Sequence, residues 1–545
     1  MTPEPEPGRV GKFVPGRSFL LALLALGLVL RVVQYATNTS LWFDELSVAR
    51  NIVHRSPSQL AFEPLAYNQV APVGFVLAEK LISGSIGSSD LALRLLPFFC
   101  GLVALPLFLL LAERVLDGYA VPFAVAAFAI GVPFIRYTTE LKQYGLDIAV
   151  ALGLALIALR LRDPDSSATR SILAGIAGAV LVWFSQTAVF VMAGISAALV
   201  LDWLLGSRRK AQTRRAVLTT VPIWAFASVA ATVASMRRMT PDTRKFMHDF
   251  WLSRHGFLPW PLKQGSDALW LWTQVTELFQ RPVMRYAWPG LYSALAIVGL
   301  VALWRRNRFG ALLLFGPFAV TVFAAVAQQY PFKTRVVLFL VPALVLLVAQ
   351  GAEGIRRFAG RLHPALGGAL MAALFIAPLW TLVETPPPYW TEDYKTVLSY
   401  VQANRRPGDA AYVYVYAYEA LERYGKNYGL ERGDYAVGGC WRDDFRAYLR
   451  EVDRYRGAPR VWLITSGVPE FYEAGQNIRQ YLGAVGSLKG SMSVPSRSKD
   501  FAPVSADLFD LSDPARLSAV SAASFPLKPP GDRRPLCLDF VTPDR

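Results

Sequence analysis

Long apolar runs alternate with short polar connections along most of this chain. Stretches near 18–37, 92–113, 119–137, 142–161, 171–187, 188–205, 215–236, 288–304, 309–327, 335–352 and 365–383 each approach the ~20 residues a helix needs to cross a bilayer. Another apolar stretch, 66–86, could cross the membrane or lie along its surface. The basic clusters decide between the two. They are Arg160/Arg162/Arg170, Arg208/Arg209/Lys210/Arg214/Arg215, Arg305/Arg306/Arg308 and Arg356/Arg357/Arg361. An excess of Arg and Lys marks the cytoplasmic side, and all four clusters fall there only if 66–86 lies on the surface. The expected fold is a polytopic α-helical membrane protein of about eleven spans, with its N-terminus in the cytoplasm. Loop 38–91, the turn around Glu140, loop 237–287 and everything after about 385 then face outward.

The pattern divides the chain into a disordered tail (1–17), a membrane domain (18–384) and a C-terminal extracytoplasmic α/β domain (385–545). The first apolar run follows Arg9, Lys12 and Arg17 and has no clear small-residue cleavage site, so it reads as a retained anchor. Pro386-Pro387-Pro388 marks the last boundary. Beyond it, residues 411–418, 460–465 and 536–541 read as strands, with helical spacing between them. Loop 237–287 is rich in Trp and Arg and reads as interfacial helices.

Composition supports the membrane reading. Of 545 residues, 53% are hydrophobic, above the 45–50% of ordinary soluble chains. A net charge of +16 would suggest nucleic-acid binding in a soluble protein. Here much of it sits between apolar runs as an orientation signal, so no nucleic-acid partner is expected. Three Cys and 4 His are too few for a Cys/His metal cluster. Cys440 and Cys537 both fall in the exported part, where a disulfide between them is one option. No nucleotide-binding or hydrolase motif is visible.

The candidate chemistry lies at the outer ends of the spans. Asp44 and Glu45 follow Trp42-Phe43 just after the first span, and carboxylates held close to lipid are functional candidates. Successive helical residues point about 100° apart, so the two acids can serve different roles. The alternative is that Asp44 caps a short helix over Glu45–Arg55. Glu140 and Lys142 stand in the turn 137–145, before Tyr144. Tyr330, Lys333 and Arg335 open a later span, and cations beside an aromatic suit a phosphate at the membrane surface. Both sets could equally be interfacial anchors. His248 and His255 in loop 237–287 could serve a phosphate or a metal, or touch an acceptor or headgroup. Asp163-Pro164-Asp165 reads as a turn and Asp443-Asp444 as a solvated surface.

In order and spacing these pieces resemble the GT-C-fold glycosyltransferases that use polyprenyl-phosphate sugars, such as aminoarabinose transferases and protein O-mannosyltransferases. The matching residues are Trp42-Phe43-Asp44-Glu45, Ala71-Pro72-Val73-Gly74-Phe75, Asp90 with Ala92-Leu93-Arg94-Leu95, Glu140 to Tyr144, and Tyr330-Pro331-Phe332 with Arg335. The resemblance spans roughly 18–385. It implies a GT-C fold with periplasmic juxtamembrane helices in a bacterial inner (plasma) membrane. It implies a polyprenyl-phosphate-linked sugar donor and a lipid, glycan or protein acceptor. Asp44 would be the catalytic base with Glu45 beside it, and transfer would be inverting. Lys142, Tyr330, Lys333 and Arg335 would hold the donor phosphate, and Tyr144, His248 and His255 the acceptor or headgroup. Glu45 and Glu140 would be the residues to hold a divalent metal (Mg, Mn or Zn), if one is used. Relatives often carry His or Lys ahead of the Pro where this chain has Gln69-Val70-Ala71-Pro72. A transporter or flippase would place its charges at mid-membrane and show a repeat. A scaffold would use the exported domain alone.

Overall fold

A computed structural model describes residues 16–205, 210–280, 283–441, 444–467, 469–497 and 501–527. Seven helices among them are long and apolar enough to cross a membrane. Arg17–Ala36, Leu95–Val115, Tyr144–Leu161 and Lys210–Arg237 come first; Arg308–Val326, the stretch Thr334–Gly360 and Pro364–Glu384 follow. The shorter apolar helices Ala120–Ile130, Ala168–Leu181 and Ala188–Leu204 and the 18-residue helix Pro289–Arg306 pack among them. The expected run 119–137 is broken at Gly131, before the short helix Val132–Arg136. Pro133 has no N–H to carry the helix across that point.

The bundle has two chemically distinct ends. At one end Arg162 pairs with Asp202 and lies over the Phe309 ring, Arg306 bonds the Val115 carbonyl, and Glu353 holds Arg356 and Arg357. Asp163-Pro164-Asp165 forms a turn there, with Asp165 paired to Arg170. The opposite end carries Asn38 to Asp44, the turn 136–143, Arg335 and the sheet domain. Thus the Arg-rich end and the Asp44 end are separated by the length of helices such as Leu95–Val115, whose first residue follows Arg94 and whose last precedes Leu116.

Val73–Ile86 spans 14 residues, about 21 Å at 1.5 Å per residue. That is shorter than the ~30 Å hydrocarbon core. It packs on the helices Phe43–His54 and Pro57–Phe62, and Lys80 donates to the carbonyls of Ile52 and Val53. Loop 237–287 folds into the helices Pro241–Leu252 and Trp270–Phe279.

Glycines set the closest crossing. A Cβ on Gly299 would lie 1.8 Å from the Leu347 carbonyl oxygen, and one on Gly351 2.2 Å from that of Leu295. Small residues let two apolar helices pack backbone to backbone. This crossing fixes Val341–Gly360, the helix that continues from Arg335.

After Glu384 the chain builds a five-stranded sheet: β1 (Ala410–Val413), β2 (Ala436–Val437), β3 (Val461–Thr465), β4 (Ser487–Val494) and β5 (Val504–Asp510), in the order β2-β1-β3-β5-β4. β1 runs parallel to β2 and β3, while β5 runs antiparallel to β3 and β4. Tyr394, Val397, Leu398 and Val401 recur at helical spacing and bury one stripe of Tyr394–Asn404 against the sheet. The expected strand 411–418 ends at Val413. The chain then turns into a short 3-10 segment and the helix Tyr418–Tyr424. Alternating Tyr and Val favour a strand only where a partner strand exists, and Tyr416 instead meets the Phe43 ring. β4 and β5 were not expected from sequence. The segment 536–541 lies outside the described residues, as do Cys537 and Asp443. Cys440 is disulfide-bonded, and Asp444 caps the helix Phe445–Asp453.

Candidate functional site

The helix Phe43–His54 starts two residues earlier than it would if Asp44 were its cap, and Trp42 holds the cap position. Glu45 closes the helix start by accepting from the Trp42 N–H at 3.3 Å. Asp44 is therefore the second helical residue, and its side chain, 21% exposed, lines a large cavity.

Glu45 faces the other way and is fully buried. Its two oxygens accept from Arg94 at 2.9 and 2.6 Å, and one also accepts from the Leu141 N–H at 2.7 Å. Arg94 in turn donates to the carbonyls of Thr39 and Ser40. Glu45 thus joins the segments of Thr39–Ser40, Arg94 and Leu141. A carboxylate with both oxygens bonded to a buried guanidinium braces the loops that it joins.

Asp44 meets cations from two other loops. Arg335 Nη2 donates to its Oδ2 at 2.7 Å, and Lys142 Nζ lies 4.0 Å from the same oxygen. Gln69 links the cluster. Its carbonyl accepts from Lys142 at 2.7 Å, and it donates to Asp44. Burial pushes the Asp44 carboxyl up, but Lys142, Arg335 and the Gln69 bond outweigh it and hold it below the usual aspartate value. Burial lowers Lys142, with Asp44 opposing. Arg335 also lies 5.1 Å from the centre of the Trp42 ring. It follows Thr334, whose φ of 38° is rare for a β-branched residue. Such backbone strain gathers where a side chain must be held in place.

Glu140 sits behind this cluster. Its Oε1 accepts from Arg136 at 3.0 Å, and its buried Oε2 has no hydrogen-bond partner. Burial raises its carboxyl above the usual range, with Arg136 opposing. Among the described residues no group of three or more His, Cys, Asp or Glu could hold a metal. With Glu45 engaged by Arg94 and Glu140 by Arg136, the residues present do not fit a divalent ion held by that pair.

The cavity encloses about 2490 Å³ and is lined by Asp44, Lys142, Arg335, Trp42, Tyr144 and many apolar side chains of the bundle. Tyr330 lines it too, its hydroxyl donating to the Val336 carbonyl and its ring against Phe190. Lys333 is also on the wall, but its ammonium is tied to Glu277 at 2.5 Å. His248 and His255 line the side built by Pro241–Leu252. His248 Nε2 is 3.2 Å from Gln328, and the His255 carbonyl accepts from Trp270. The structure therefore brings Asp44, Lys142 and Arg335 into contact. It leaves Tyr144, Tyr330, Lys333, His248 and His255 on the same cavity wall.

Arg136 was not expected at the site, and Gln69 and Arg94 stood in the sequence only as pieces of the resemblance, without a role. Arg94 and Arg136 had a signal, since each is a charged residue at the end of an apolar run. Gln69 had one too, as the amide that stands where relatives often carry His or Lys ahead of the Pro.

No protein-family model and no curated protein matches the chain. Solved structures do. The oligosaccharyltransferase of Archaeoglobus fulgidus in its apo form is 12% identical with a TM-score of 0.48, over 87% of this chain and 73% of that one. ArnT from Cupriavidus metallidurans bound to undecaprenyl phosphate is 13% identical with a TM-score of 0.46, over 90% and 98%. The arabinofuranosyltransferase AftD from Mycobacteria is 15% identical with a TM-score of 0.38, over 92% and 42%.

Proposed function

We propose that this protein is a membrane glycosyltransferase of the GT-C type, moving a sugar from a polyprenyl-phosphate donor to an acceptor hydroxyl on the outer face. The observation that carries the reading is the Asp44 corner: one carboxylate, exposed to a large cavity, between an arginine and a lysine from two other loops. The motif order described above supports the same reading.

The chemistry follows from the groups at hand. Asp44 takes the proton of the acceptor hydroxyl as its oxygen bonds to the anomeric carbon, within the reach of a general base. The bond from that carbon to phosphate breaks, and its electron pair leaves with the polyprenyl phosphate. Arg335 and Lys142 stabilise the charge that gathers there. In the free protein the same two cations suppress Asp44's basicity. A phosphate that draws Arg335 toward itself raises that basicity when the acceptor needs it. The apolar wall of the cavity receives the polyprenyl chain, and transfer inverts the anomeric centre.

In this reading about eleven helices span a bacterial plasma membrane, the Arg-rich end is cytoplasmic, and residues 385–545 form an exported domain. The test is transfer of label from a radiolabelled polyprenyl-phosphate sugar by the purified protein. Flux of the intact donor across sealed vesicles, without transfer, would instead favour a flippase.

A further inference from the structure

We infer that residues 389–395, the strap between the last apolar helix and the sheet domain, position the Asp44 corner, and that Glu392 is the positioning residue. The inference rests on the reading of Asp44 as the base.

Four outer elements are gripped by these seven residues. Tyr389 exchanges two hydrogen bonds with Gln34 at the end of the first helix, at 2.6 and 2.9 Å. The backbone N–H of Lys395 donates to the Ser40 hydroxyl at 3.0 Å, and its ammonium reaches the Asn38 carbonyl at 2.7 Å. The Thr391 hydroxyl accepts from Arg136 at 2.7 Å, and Arg136 holds Glu140. Glu392, 1% exposed, accepts from the Phe43 N–H at 2.8 Å and from the Tyr394 hydroxyl at 3.0 Å. Tyr394 shares its hydroxyl with Ser466, the residue after β3.

The bond to Phe43 matters most. Phe43 is the first residue of its helix, so its N–H has no acceptor within the helix. A carboxylate there also meets the positive end of the helix dipole. Asp44 is the next residue, so the backbone bond that fixes Phe43 fixes where the Asp44 carboxyl stands relative to Arg335 and Lys142. Glu392 is not among the residues lining the cavity; it acts through Phe43. A base displaced by an ångström can lose about a hundredfold in rate.

The test uses the full chain in detergent or nanodiscs, with two readouts. In Glu392→Ala, hydrogen exchange at the amides of 43–46 rises at least about tenfold, and kcat for transfer falls about ten- to a hundredfold with donor KM little changed. Glu392→Gln keeps an oxygen for Phe43 and restores both. Unchanged exchange and unchanged kcat in Glu392→Ala overturn the inference, as does exchange that stays at the wild-type level while transfer is lost. Wild-type protein that transfers no sugar sinks the glycosyltransferase reading, and exchange alone then decides whether the strap holds the helix. If Glu392→Ala does not fold, Thr391→Val serves: exchange should rise at 136–142 and not at 43–46, and no rise overturns the strap.

Discussion

Arg335 and Asp44, 291 residues apart in the chain, share a hydrogen bond of 2.7 Å at the wall of the cavity. Their contact joins the helix Phe43–His54 to the start of the stretch Thr334–Gly360. It gives the proposed base its countercharge and gives the proposed phosphate site its guanidinium.

Replacing Arg335 should therefore act twice. Arg335→Ala should raise the donor KM about ten- to a hundredfold, or about 1.4–2.8 kcal/mol. It should also move the acid limb of the pH–rate profile upward. The wild-type carboxyl is held below the usual aspartate value, so it stays ionised to lower pH; without Arg335 it protonates sooner as pH falls. Steady-state kinetics across pH checks both. An unchanged donor KM would count against the assignment.

Glu45 should separate from Asp44 in stability. Glu45→Ala leaves the buried Arg94 without its carboxylate, a change that costs about 3–5 kcal/mol. Asp44→Asn removes a partly exposed pair and should cost about 1 kcal/mol or less. Thermal unfolding in detergent measures the two. Equal losses would contradict the division between brace and base.

Burial pushes Glu392 up from 4.5 to about 7, against the bonds from Phe43 and Tyr394. Between those values the folded chain holds a proton that the unfolded chain has released. Glu392's contribution to wild-type stability should therefore fall as pH rises through that window. Glu392→Gln should flatten the slope. Some slope should remain, because burial also raises Glu419 to about 6. A slope identical to wild type would mean that Glu392 is not protonated in the folded chain.

Asp90 ties the sheet domain to the bundle. It pairs with Arg423 at 2.6 Å and Lys395 at 2.8 Å, and accepts from Tyr424. Burial raises its carboxyl, but Arg423 and Lys395 win and hold it low. Its contribution is thus present above the usual aspartate value and is lost as pH falls. Asp90→Asn should speed proteolysis near 385–395. Cleavage at the wild-type rate would show that the other contacts suffice.

The parts legible in sequence were those where polarity is costly. Asp44, Lys142 and Arg335 stood out as charges at the ends of apolar runs, and the basic clusters marked one end of the bundle. Which of two adjacent acids faces the cavity was not legible, because Arg94 settles it from 49 residues away. The role of the strap at 389–395 was not legible, since its partners Gln34, Phe43 and Arg136 are all distant in the chain. β4 was hidden because it is an edge strand of Ser, Lys and Gly, shaped by its pairing with β5 and not by propensity.

The most direct measurement is transfer of a radiolabelled sugar from polyprenyl phosphate by purified Asp44→Asn protein, beside wild type of equal thermal stability. Loss of the base should lower turnover by at least about a hundredfold, with the protein still folded. Turnover at the wild-type level would contradict the role given to Asp44.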